Sequence, residues 1–209
     1  MAGLNMRLGV FGGSFDPPHI GHLILAAEAL DQLGLDRILW VLTPYPPHKQ
    51  FRQLTSAEQR LMLLNAAIED NPAFVISRVD LDRQPPHYAV DTMRLLHRDY
   101  PQDRLVYLMG SDSLDDLPGW HQAQEFVRQC DEVGVMCRPG RVLELEELEE
   151  LLPGLCERLR VLEAPLLEIS STRLREKIAG QAAYRYYFPT RVFELIEELQ
   201  LYRLSELQP

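Results

Sequence analysis

The sequence predicts an α/β fold: a doubly wound parallel sheet with helices on both faces and a helical part toward the C-terminal end. Three observations predict it. Apolar runs of strand length alternate with amphipathic stretches of helix length between Arg7 and Met136. Those runs are hydrophobic at consecutive positions, as strands buried on both faces are, and do not alternate as a half-exposed sheet would. Glycine and proline clusters follow three of the runs, where a strand hands over to a loop at its carboxyl end.

The elements can be justified in order. Arg7 to Phe11 is a buried strand ended by Gly12 and Gly13, and the loop SFDPPHI follows. A helix is predicted over Gly21–Leu33, closed by Gly34. Arg37 to Leu42 (RILWVL) is a second strand, and the proline-rich TPYPPHKQF after it cannot be regular. Thr55, with Glu58 three residues on, is expected to cap a helix reaching about Glu69. Phe74–Arg78 is a strand, Ala89–Tyr100 a helix, and Arg104–Met109 and Glu132–Met136 are further strands, the first of them ended by Gly110. Residues 143–152 (LELEELEELL) are an amphipathic helix with Leu145, Leu148, Leu151 and Leu152 inward. One or two helices are expected from about Ile169. A chain of 209 residues holds one core of this kind and is short for two, so 1–209 is read as one Rossmann-like unit with 169–209 as its helical extension.

Bulk composition narrows the function. The net charge of -10 disfavours a nucleic-acid partner. No apolar run approaches the roughly 20 residues of a membrane span, and no signal peptide is evident. Cys130, Cys137 and Cys156 form no CxxC pair, which fits neutral thiols in a reducing compartment, and the cytoplasm is the expected location. A homo-oligomer is left open. An anionic substrate must be met by a local cationic site, wherever His, Lys and Arg gather near glycine-rich loops.

The segment Gly12-Gly13-Ser14-Phe15-Asp16-Pro17-Pro18-His19-Ile20-Gly21-His22 is that place. Its glycines let backbone approach a ligand closely. The helix start beyond it offers free N–H groups and a positive dipole end to phosphates. His19 and His22 lie about one turn apart and can address one anionic spot. It is not the GxGxxG dinucleotide fingerprint, so hydride transfer gains no support. A second cationic element, Lys49, sits on the proline-stiffened loop Pro46-Pro47-His48-Lys49. A third, Ser170-Ser171-Thr172-Arg173-Leu174-Arg175, places hydroxyls and then arginines at a helix start, both a cap and an anion site. Lys49 and Arg175 are expected to be exposed.

These motifs resemble the nucleotidyltransferase superfamily with a His-x-Gly-His signature, and within it the bacterial nicotinate-nucleotide adenylyltransferases. Pro46 to Lys49 is similar to that family's PPHK loop, Asp91-Thr92 to its DT pair, and Gly110-Ser111-Asp112 with Leu117 and Trp120 to its GxD…L..W stretch. Arg138-Pro139-Gly140 is similar to an RPG loop, and Ile169 to Arg175 to ISST.IR. The family's usual Ser-Tyr-Thr is here His87-Tyr88-Ala89, and His121 follows Trp120. If the contact there uses backbone N–H groups, the change is tolerable; if it uses the Thr hydroxyl, acceptor recognition is altered.

The resemblance implies transfer of the adenylyl group of ATP to nicotinate mononucleotide, with pyrophosphate leaving and Mg²⁺ held mainly by phosphates and water. It implies His19, His22, Lys49 and Arg175 as catalytic residues. ATP would meet Gly12, Gly13, Ser14, Phe15, His19, His22, Gly110, Asp112, Arg138, Ser170, Ser171, Thr172 and Arg175. The acceptor would meet Lys49, Tyr88, Ala89, Thr92, Trp120 and His121. Rival readings are an adenylyltransferase for another phosphate, such as nicotinamide mononucleotide or phosphopantetheine, and a non-catalytic nucleotide sensor. The extra length and the Trp120 stretch argue against the pantetheine type, and the retained His, Lys and Arg set argues against the sensor.

Overall fold

The computed structural model describes residues 5–46, 54–137, 144–165 and 168–203. Six strands form one sheet: β1 (Arg7–Gly13), β2 (Arg37–Leu42), β3 (Phe74–Ser77), β4 (Arg104–Gly110), β5 (Glu132–Met136) and β6 (Leu159–Leu162). Every pairing is parallel and the order is β3-β2-β1-β4-β5-β6. Winding reverses between β1 and β4, so a crevice opens there at the carboxyl ends, the place where doubly wound sheets take ligands.

Helices cover both faces: α1 (Ile20–Gln32), α2 (Ala57–Ile68), α3 (Ala89–Asp99), α4 (Ser111–Asp116), α5 (Ala123–Gln129), α6 (Leu145–Leu151), α7 (Leu155–Arg158), α8 (Ser171–Ala179) and α9 (Thr190–Glu198). The strands split their side chains between two cores. Phe11, Ile38, Trp40 and Leu42 pack with Leu25, Leu63, Leu64, Val192 and Ile196. Leu8, Val10, Leu39 and Val41 pack on the other face with Val90, Met93 and Phe126. The consecutive hydrophobicity of RILWVL is thereby explained. Helices α8 and α9 share the first core, as Leu174, Ile178 and Val192 show. Helix α1 ends in a Schellman arrangement: Gly34 takes φ +56, Leu35 N–H donates to Leu30 O and Gly34 N–H to Asp31 O. Burial pushes the thiols of Cys130, Cys137 and Cys156 up, so all three are neutral.

Several expectations change. Ser56, not Thr55, caps α2: its Oγ accepts from Gln59 N–H at 3.2 Å. Thr55 is held elsewhere, donating its N–H to Asp16 Oδ2 and accepting from Arg60 Nε at 2.8 Å. Leu151 points out, 63% exposed, because α6 is short and Leu148 and Leu152 take its inward side. The strand β6 went unread. Of its four residues only Leu159 and Leu162 are buried, too short a pattern to carry a period. The short helices α4, α5 and α7 were missed for the same reason.

Candidate active site

A cavity of about 770 Å³ opens at the carboxyl ends of the strands. The loops after β1, β2 and β4 reach it, together with the starts of α1, α3 and α8. Every site residue expected from the sequence that falls among the described residues lines it: Gly12, Gly13, Ser14, Phe15, His19, His22, Tyr88, Ala89, Thr92, Gly110, Asp112, Trp120, His121, Ser170, Ser171, Thr172 and Arg175. Lys49 and Arg138 lie outside the described residues.

One end is a cluster of hydrogen-bond donors. His19 is the N-cap of α1 and is 5% exposed. The His19 and His22 rings stack with centroids 3.7 Å apart and planes 26° from parallel. His19 N–H donates to His22 Nδ1 at 3.2 Å. An accepting Nδ1 leaves the proton of the neutral ring on Nε2, so His22 is held in one tautomer with Nε2 as donor. Opposite stands α8, whose first N–H groups have no intrahelical acceptor. Ser170 Oγ caps it by accepting from Arg173 N–H at 3.3 Å. Ser171 Oγ donates to Pro17 O at 2.9 Å, and Arg175 donates to Asp16 O at 2.6 Å and to Thr172 Oγ1 at 3.3 Å. Arg175 is therefore half-buried and braces the histidine loop, contrary to the expectation of a freely exposed cation.

Beneath this loop lies a charged frame that motif reading missed. Arg60 is 1% exposed. It donates to Ser14 O (2.9 Å), Thr43 O (3.1 Å), Pro44 O (2.7 Å) and Thr55 O (2.8 Å). Asp16, also 1% exposed, accepts from Tyr202 Oη at 2.8 Å and from Thr55 N–H at 3.4 Å. Burial pulls the Arg60 guanidinium down and Asp16 opposes that. Burial, then the Asp16 charge, pushes the Tyr202 hydroxyl well up. A signal for Arg60 existed: it falls in phase with Leu63, Leu64 and Ala67 on the apolar face of α2. The glycines also make room within the cavity wall. A Cβ at Gly12 would sit 2.8 Å from the Tyr107 hydroxyl, and one at Gly13 3.0 Å from the Phe15 ring. They admit these side chains to the cavity wall as well as leaving room for a ligand.

The other end is aromatic. Tyr88 and His121 stack at 4.0 Å and 24°. Trp120 is half-buried, leaning on Phe126 (5.2 Å) and edge-on to Tyr107 (6.2 Å), and lines the cavity. Thr92 lines this end, but its hydroxyl donates to Asp80 Oδ1 at 2.8 Å. Arg83 completes that network, 2.9 Å from Asp80.

Comparison with known proteins gives the family of the chain. A model of the Cytidylyltransferase-like family matches residues 10–177. A probable nicotinate-nucleotide adenylyltransferase of Thermomicrobium roseum is 40% identical over 200 residues, 96% of this chain and 93% of that protein. The chain belongs to the nicotinate-nucleotide adenylyltransferase family. A member from Bacillus subtilis is 37% identical, over 94% of this chain and 98% of its own length. Among solved structures, the Plasmodium falciparum nicotinic acid mononucleotide adenylyltransferase complexed with NaAD superimposes with a TM-score of 0.77 at 18% identity, covering 94% of this chain and 97% of that one. At that identity the likeness bears on the fold, which it matches. In this chain the loop after β1, with His19 and His22, and the start of α8 line one end of the cavity, and Trp120 lines the other.

Proposed function

We propose that this chain transfers the adenylyl group of ATP to nicotinate mononucleotide, releasing pyrophosphate and giving nicotinate adenine dinucleotide. The observation that carries the reading is a cavity with two unlike ends, in a chain of this family: donors from two helix starts at one end, aromatic rings at the other. ATP would place its phosphates against His19, His22, the first turn of α8 and Arg175, and its ribose near Gly110 and Asp112. The pyridine nucleotide would lie toward Tyr88, Ala89, Thr92, Trp120 and His121. Lys49 and Arg138 are assigned on their motifs alone.

The acceptor phosphate has a second pKa of about 6, so it is already largely dianionic at neutral pH and needs no general base. The chain's residues must hold two anions together and stabilise charge as pyrophosphate departs, a task of positioning and electrostatics. His22, held as the neutral tautomer with its proton on Nε2, suits that task as a donor. Mg²⁺ would supply charge neutralisation across the phosphates. Among the described residues no group of three or more His, Cys, Asp or Glu side chains could hold a metal. The imidazoles, hydroxyls and guanidinium at the donor end suit phosphate oxygens, so Mg²⁺ would be held by phosphates and water. Among the described residues, no helix is long and apolar enough to cross a membrane.

The test is pyrophosphate release from ATP with a panel of phosphate acceptors. Nicotinate mononucleotide should give the highest kcat/KM. No turnover with it, or faster turnover with phosphopantetheine, would end this reading.

A further inference from the structure

Tyr107 stands on β4, beside the crevice, and the sequence marks it only as a strand residue. Its ring packs in the core on the α3 and α5 face, perpendicular to Phe126 at 4.8 Å and edge-on to Trp120 at 6.2 Å. A phenylalanine ring would fill that place equally well, so packing accounts for the ring and leaves the hydroxyl over. The hydroxyl is the tip of the side chain and ends above Gly12, where a Cβ would come within 2.8 Å of it. Both residues line the cavity. Tyr107 is 6% exposed, and among the described residues its Oη has no hydrogen-bond partner, yet it is not sealed from the cavity. A phenol this deep normally finds a partner within the protein. This one offers itself instead to whatever fills the cavity. Burial pushes the hydroxyl well up, so it keeps its proton and is a donor.

We infer that Tyr107 Oη donates a hydrogen bond to an oxygen of the acceptor nucleotide, which makes Tyr107 a binding residue of the pyridine end. This rests on the reading of the cavity as a pyridine-nucleotide site. The face of the sheet decides between the two substrates. Tyr107 shares its core with Tyr88, Ala89 and Trp120, the residues assigned to the acceptor. Phe11 and Phe15, whose rings lie against His22 at the donor end, belong to the core on the opposite face. The hydroxyl therefore serves the acceptor and not the triphosphate. Nicotinate mononucleotide brings two kinds of oxygen to this end, its ribose hydroxyls and its carboxylate. A neutral donor suits both, and a bond to the carboxylate is the stronger of the two.

Tyr107→Phe isolates the hydroxyl, because it keeps the ring and removes a group that holds nothing within the protein. The measurements are kcat/KM for nicotinate and nicotinamide mononucleotide and for the 2′- and 3′-deoxyribose analogues of the first, and the KM for ATP. The dissociation constant of nicotinate mononucleotide, read by tryptophan fluorescence, and the melting temperature complete the set. Tyr107→Phe should lower kcat/KM for nicotinate mononucleotide and weaken its binding about 3- to 10-fold, the worth of one hydrogen bond, with the ATP KM and melting temperature unchanged. A loss that vanishes with one deoxyribose analogue assigns the bond to that hydroxyl. A loss kept by both analogues, and larger for nicotinate than for nicotinamide mononucleotide, assigns it to the carboxylate. If nicotinate mononucleotide stays within twofold of wild type in Tyr107→Phe, the inference is overturned. It is also overturned if the ATP KM rises while the acceptor constants hold, or if the only change is a lower melting temperature. If wild-type protein adenylylates neither nucleotide, the reading of the cavity fails and takes this inference with it, an outcome distinct from an active enzyme indifferent to Tyr107→Phe.

Discussion

At the donor end of the cavity, carbonyl oxygens from Ser14, Thr43, Pro44 and Thr55 converge on the buried Arg60, and Asp16 is tied to Tyr202 and Thr55. At the aromatic end, Tyr88 and His121 touch only as stacked rings, and Trp120 leans on Phe126 and Tyr107. The first end is fixed by directional bonds to buried charges, which tolerate little displacement. The second presents rings held by packing, which has broad energy wells and tolerates changes of identity, while the Asp80–Arg83–Thr92 network holds the backbone behind them. The contrast matches what each end is proposed to do. Stabilising a departing pyrophosphate requires donors already in place, whereas gripping a flat heterocycle needs surface. It also matches where this chain departs from its family's pattern, since His87, Ala89 and His121 all lie at the aromatic end.

The contrast can be tested by substitution, beginning at the donor end. Arg60→Leu leaves the buried carbonyls of Ser14, Thr43, Pro44 and Thr55 without their donor, and should destabilise the protein by about 1–3 kcal/mol for each one left unmet. Denaturant unfolding measures this. A loss below about 1 kcal/mol, the size of an average substitution, would show that the frame does not depend on Arg60. His22→Ala should lower turnover about 100-fold or more, while the melting temperature and the KM for ATP change little. Near-normal turnover would remove His22 from the chemistry. Tyr202→Phe removes one hydroxyl from Asp16 and should lower stability by about 1–3 kcal/mol, less than Arg60→Leu. It should also lower kcat, because the loop carrying His19 loses a tether; a stability loss with kcat intact would make the contact purely structural.

The smallest effect is expected at the aromatic end. Trp120→Phe should weaken acceptor binding by about 0.5–2 kcal/mol, seen as a higher acceptor KM with the ATP KM nearly constant. Only Trp40 and Trp120 fluoresce as indoles in this chain, and Trp40 is fully buried. Acceptor quenching should therefore survive Trp40→Phe and be mostly lost in Trp120→Phe. The reverse pattern would place the pyridine elsewhere.

Legibility in the sequence follows the same physical division. The histidine loop could be read because its glycines, histidines and helix start are contiguous, and local chemistry is what a sequence displays directly. The convergence of three loops could be read because parallel sheets put ligands at one edge. The Asp16–Tyr202 bond could not, since it joins positions 186 residues apart and neither residue carries a local pattern. Arg60 sits between these cases: a cation in phase with Leu63 and Leu64 announces burial without naming its partners. Thr92 shows the converse limit. Its DT motif was visible, but the commitment of its hydroxyl to Asp80 depends on how β3 and α3 are joined.

The span of the Asp16–Tyr202 bond bears on the order in which the protein is made. Asp16 and both histidines leave the ribosome well before Tyr202, which follows Asp16 by 186 residues. A chain grows at roughly 5–20 residues per second and folds from its N-terminal side. The histidine loop therefore spends many seconds without the hydroxyl that holds its aspartate. A nascent chain that has already formed β1 to β5 contains every ring and hydroxyl of the aromatic end, yet it lacks Arg175 and Tyr202. The phosphate-handling loop gains its full set of restraints only once the 186 residues that separate Asp16 from Tyr202 have been added.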